Sequence, residues 1–139
     1  VLFKLFSGQK QNHPLPKFPP GLRPRFQSLC EPLDITAIDQ LRQEFVLKTK
    51  ETRARAEKNV RMNKRRLDDL IDRCELLLDV FPDVAEQQRA LIVGALRYFV
   101  VDGDQLSDEA FCTGFDDDAR IVNFVLEQLS IEGKFIAIS

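Results

Sequence analysis

Six aspartates, Asp102, Asp104, Asp108, Asp116, Asp117 and Asp118, fall within seventeen residues. Oxygen ligands at that density suit a hard cation such as Ca²⁺ or Mg²⁺. Asp104, Asp108, Asp117 and Asp118 are therefore the candidate ligands of a metal-dependent hydrolase. An EF-hand loop is excluded, because counting from Asp102 puts Leu106, Ser107 and Thr113 at its positions 5, 6 and 12. The plainer expectation is that these acids cap helices and pair with Arg97 or Arg120, since helix N-termini favour negative charge. Ser107-Asp-Glu109 reads as a helix start and Gly114 as a helix end. Nucleophilic catalysis has little to draw on. The one histidine, His13, lies in a proline-rich stretch, and no Gly-x-Ser-x-Gly pattern occurs. Cys30, Cys74 and Cys112 are scattered without a CxxC, which reads as reduced thiols in a cytoplasmic setting. No phosphate-binding glycine loop is present, so no cofactor is expected.

The second constellation is basic. Lys48 to Arg66 holds nine cations against two acids. Arg23, Arg25, Lys48, Lys50, Arg53, Arg55, Lys58, Arg61, Lys64, Arg65 and Arg66 are the candidate partner-binding residues. The expected partner is an acidic protein surface or a second copy of the chain, with nucleic acid or an anionic membrane surface as alternatives. Aromatic residues, which single-strand binding wants, are missing from the segment. Glu51–Arg55 and Glu57–Arg61 can also pair along a helix and leave it simply solvated. Charge divides the whole chain in the same way. Residues 1–66 carry 15 Lys and Arg against 6 Asp and Glu, a balance of +9, and residues 67–139 carry 5 against 16, a balance of −11.

The elements that must position these groups read as all-α. Residues 1–33 contain six of the seven prolines, predicting an extended, basic arm. Phe3, Phe6, Phe18 and Phe26 punctuate it, so it should lie on its own helices or on a partner. A long basic helix follows over 34–66, opened by a capping box at Thr36 and Asp39. Its apolar or small face is Ile38, Leu41, Phe45, Thr49, Thr52, Ala56 and Val60, and a break near Asn59–Asn63 is the alternative to one continuous helix.

From 67 to 139 the pattern is that of a compact core. Leu67 to Phe81 forms a broad apolar stripe, Pro82-Asp83 ends it, and Val84 to Val101 is the buried central helix of a helical hairpin. Gly94 should allow a neighbouring helix to approach closely. Ile121, Val122, Phe124, Val125 and Leu129 form a third stripe ended by Gly133, and Phe135–Ile138 is a short apolar tail. The apolar run Ala90–Val101, twelve residues with Arg97 inside it, is too short to span a bilayer. Val1–Phe6 lacks the length and cleavage pattern of a signal peptide, and a start at Val1 without Met suits a processed or excised chain.

Tyr98, Phe99, Asp104, Asp108, Gly114, Phe115, Asp117 and Asp118 together resemble the signature of the YkvA-like family over about residues 67–129. Asp102 and Ser107 stand where that family usually carries proline. The resemblance implies a helical fold and brings no catalytic assignment. The resulting expectation is a non-catalytic docking or assembly module that holds an acidic partner through its basic arm and helix, with the metal-dependent hydrolase as the alternative.

Overall fold

A computed structural model describes residues 18, 21–59, 63–105 and 115–136, with the side chains of 102–105 left aside. It is all-helical over those residues. In chain order the helices are α1 (Leu22–Leu29), α2 (Ile38–Glu57), α3 (Lys64–Val80), a single 3₁₀ turn (Phe81–Asp83), α4 (Glu86–Gln105) and α5 (Asp116–Gln128). Helix α4 is the hub, packed by α1, α2, α3 and α5. Its residues 90–96, with Tyr98 and Phe99, are buried. A helix apolar on nearly every side has no solvent face to offer, so it takes the centre.

Helix α1 corrects the extended arm expected over 1–33 at residues 22–29, which are helical; residues 1–17, 19 and 20 of that arm lie outside the described residues. Pro24 is compatible with this, since it sits in the first turn, whose N–H groups have no intrahelical acceptor. The helix is held by two buried side chains, Leu22 and Phe26. Phe26 meets Phe18 and Phe124 edge-on, at 6.3 and 6.2 Å between ring centroids. These arm aromatics lie on the chain's own core. Gly94 makes the close approach of α1 and α4 geometrically allowed. A Cβ at position 94 would lie 2.5 Å from Cys30 Sγ and 2.6 Å from Phe26 Cε1.

The capping box expected at Thr36 and Asp39 is replaced by a turn around Asp34. Its carboxylate accepts from the Thr36 hydroxyl and the Ala37 N–H, both at 2.7 Å. Those bonds, the Thr36 one foremost, hold the Asp34 carboxyl below the usual range. Thr36 spends its proton on Asp34, and α2 starts four residues later.

The basic helix also ends earlier than residue 66. Helix α2 closes at Glu57, and Asn63 opens α3 by accepting from the Arg66 N–H at 3.0 Å. Asparagine is a strong N-cap, and its short side chain competes well with the helical backbone. Helix α3 then buries Leu67, Leu70, Ile71, Cys74, Leu77 and Leu78. Arg89 braces its turn into α4, donating to the carbonyls of Phe81 and Pro82 at 3.1 and 2.8 Å.

Helix α5 ends at Gln128, ahead of Gly133. Ser130 adopts φ 59°, and the N–H groups of Ser130 and Ile131 bond the carbonyls of Glu127 and Leu126. That is the paired hydrogen-bond pattern of a Schellman stop. The tail then packs on the core. Asn123, fully buried, donates to the Ile136 carbonyl at 3.1 Å and accepts from the Ile136 N–H at 2.7 Å. One side-chain amide thus supplies both halves of a backbone pairing, satisfying groups that burial would otherwise leave costly.

Candidate partner-binding surface

Helix α2 carries most of the basic segment, and its geometry decides which cations face outward. Ile38, Leu41, Phe45, Lys48, Thr52 and Ala56 are buried, at gaps of three and four residues. This stripe runs the length of the helix and packs it on α4, so the helix does not project from the body. Lys48 occupies the place expected of Thr49. Its four-carbon stem can lie along apolar surface while the ammonium reaches a partner. That partner is Glu51, at 2.9 Å.

Two more expected binding residues are committed inside the molecule. Arg53 of α2 pairs with Asp68 of α3 at 2.6 Å. Arg66, only 11 % exposed at its side chain, pairs with Asp116 at the start of α5. On the opposite side of the charge division, Glu31 receives Arg97 at 2.8 Å. These three ion pairs cross between the basic and acidic halves and join segments distant in the chain. The Arg25 guanidinium lies 5.0 Å from the centroid of the Tyr98 ring, on α4.

What remains outward is narrower than the sequence suggested. Lys50 is exposed along α2, Lys58, Lys64 and Arg65 are exposed around the α2–α3 break, and Arg23 and Arg25 are exposed on α1. Arg55 is half-buried, and Arg61 lies outside the described residues. A cleft of about 300 Å³ opens beside the break, lined by Arg53, Ala56, Glu57, Lys64, Leu67 and Asp68. Searches of family models, curated proteins and solved structures find no match for this chain. Of the positions that carry the YkvA-like resemblance, Tyr98, Phe99 and Phe115 are buried. The rings of Phe99 and Phe115 are 6.0 Å apart. Their role in this structure is packing.

Of the four candidate metal ligands, Asp117 and Asp118 have described side chains. Asp117 approaches Arg120 at 4.0 Å. Asp118 is buried at 2 % exposure and lies close enough to Cys74 for its charge to push that thiol further up, adding to the larger effect of burial. Of Asp104 only the backbone is described, in the last turn of α4, and Asp108 lies outside the described residues. Among the described residues no group of three or more His, Cys, Asp or Glu could hold a metal ion. The acids that begin α5 do what helix-start acids do, with Asp116 going to Arg66 and Asp117 to Arg120. Arg97, the other cation expected to pair with the corner, donates to Glu31 at 2.8 Å.

Sequence reasoning missed Val46 and Leu47. They fall between the buried positions Phe45 and Lys48 and point outward, at 47 % and 62 % exposed. The signal was present as two apolar residues off the three-and-four spacing of the helix's inner face.

Proposed function

We infer that this chain is a non-catalytic docking module that holds an acidic protein partner through the cationic surface around the α2–α3 break and through α1. The observation that carries the reading is the exposure of Lys50, Lys58, Lys64 and Arg65 along the end of α2 and the start of α3, while other cations of the same segment, Lys48, Arg53 and Arg66, are taken up by internal pairs. Internal pairing leaves a local excess of positive charge on that side of the molecule, and such a field attracts and orients an acidic partner. Among the described residues no helix is long and apolar enough to cross a membrane. The alternative reading, metal-dependent hydrolysis at Asp104, Asp108, Asp117 and Asp118, draws no support from the arginine beside Asp117 or the burial of Asp118.

A titration of labelled polyglutamate tests the reading. Binding should weaken steeply as salt shortens the screening length, which is about 8 Å at physiological ionic strength. Reversing Lys50, Lys58, Lys64 and Arg65 to Glu should remove it. Binding that ignores both salt and charge reversal refutes an electrostatic dock.

A further inference from the structure

Val46 and Leu47 share the outer ridge of α2 with Lys50 and Arg53, which follow at spacings of three and four residues. With Ile35 they are the large hydrophobic side chains that stand exposed among the described residues. The ridge rises by roughly 10 Å from Val46 to Arg53 and runs towards the α2–α3 cleft, whose lining sets Arg53 and Lys64 against Glu57 and Asp68 around the buried Ala56 and Leu67. The exposed apolar pair at one end and the exposed cations Lys50 and Lys64 towards the other mark out one strip.

We propose that this strip docks an acidic amphipathic helix of a partner protein. The partner's apolar face covers Val46 and Leu47, and its flanking carboxylates meet Lys50 and Lys64. The proposal rests on the docking reading above and names its occupant.

Charge and apolar content together select that occupant. A second copy of the chain offers an acidic ridge on α3, at Asp68, Asp72, Glu75 and Asp79, all exposed. The hydrophobic residues beside that ridge, Leu76 and Val80, are already packed on the core and cannot cover Val46 and Leu47. The N-terminal stretch, with Lys4, Lys10 and Lys17 and no acid before Glu31, has the wrong sign. Nucleic acid would leave the apolar pair without a counterpart and finds no aromatic side chain on the ridge to stack upon.

The test pans a displayed library of random peptides, about four helical turns long, against the full chain at low salt. Enriched peptides should combine Asp and Glu with apolar residues recurring at i, i+3 and i+4. Their affinity should fall on the order of tenfold for Val46→Ala with Leu47→Ala, and again for Lys50→Glu with Lys64→Glu. All four positions are exposed, so the variants should melt with the parent, which circular dichroism checks. Acidic peptides lacking an apolar period, held equally by the alanine pair, would overturn the proposal while leaving the electrostatic dock standing. Failure to enrich acidic peptides, together with loss of polyglutamate binding, would remove both. Self-association abolished by Leu47→Ala, or oligonucleotide binding abolished by the charge reversals, would assign the strip to a second copy or to nucleic acid and overturn the proposal.

Discussion

Gly94→Ala separates a local from a tertiary account of α4. In an isolated helix the change is favourable by about 1 kcal/mol, because alanine has the higher helix propensity. Here the new Cβ would stand 2.5 Å from Cys30 Sγ and 2.6 Å from Phe26 Cε1. Carbon atoms in ordinary contact sit at roughly 3.5–4.0 Å, so the overlap is on the order of 1 Å. Phe26 has no free space to retreat into, since it is fully buried between Phe18 and Phe124. Overpacking costs about 1–3 kcal/mol; two side-chain clashes this close put it at the upper end, about 2–3 kcal/mol, and the net expectation is a destabilisation of about 1–2 kcal/mol after the propensity gain. Urea denaturation of the parent and the variant measures it as a lowered midpoint with an unchanged slope. Cys30→Ala in the same chain removes the nearer clash and should recover part of the loss, giving a positive coupling in a double-mutant cycle. A Gly94→Ala variant that is as stable as the parent, or more so, would refute the close approach of α1 and α4.

Asn123→Ala strands both backbone groups of buried Ile136 and should cost roughly 2–3 kcal/mol, with hydrogen exchange at the Ile136 amide accelerating more than exchange in α4. Ser130→Gly places the residue suited to left-handed backbone at φ 59° and should stabilise by about 1 kcal/mol, read as a rise in melting temperature. Burial raises the Cys30 thiol from 9.0 to about 12, against a smaller lowering by Arg97. The folded state therefore keeps a proton that the unfolded chain releases, so this stabilisation is complete below pH 9 and lost as pH climbs towards 12. Cys30→Ala should flatten that alkaline fall in a pH series of denaturation curves, and an unchanged slope would refute the assignment.

Much of the core was readable because burial leaves a period. Ile38, Leu41, Phe45, Thr52 and Ala56 repeat at helical spacing, and the central run from Ala90 is apolar on too many sides to face water. Other features depended on partners distant in the chain. Nothing near Arg66 announces Asp116, fifty residues on, and nothing near Arg53 favours Asp68 over solvent. A residue-type reading therefore treated every cation of the basic segment alike. Pro24 misled for a different reason: proline density argues against helix on average, while position within a first turn decides the particular case. Thr36 and Asp34 can each serve as a cap, and only the direction of their shared hydrogen bond resolves which one does. The acidic corner was legible as helix punctuation at Asp116–Asp118. Its middle, around Asp108, lies outside the described residues.

The eight-residue helix α1 has a consequence for the order in which the chain assembles. A helix that short cannot persist alone in water, and its anchors are remote: Arg97 of α4 reaches the Leu29 carbonyl and Glu31 across 68 and 66 residues of chain. Closing so large a loop is worthwhile only once α4 and α5 have already formed the surface that receives Phe26. That order predicts a late docking of α1, so substitutions at Leu22 or Phe26 should speed unfolding while leaving the folding rate nearly unchanged. The same ordering read backwards makes α1 the first element to peel away. On that order the molecule's kinetic lifetime should be set by α1, far in sequence from the helix at its centre.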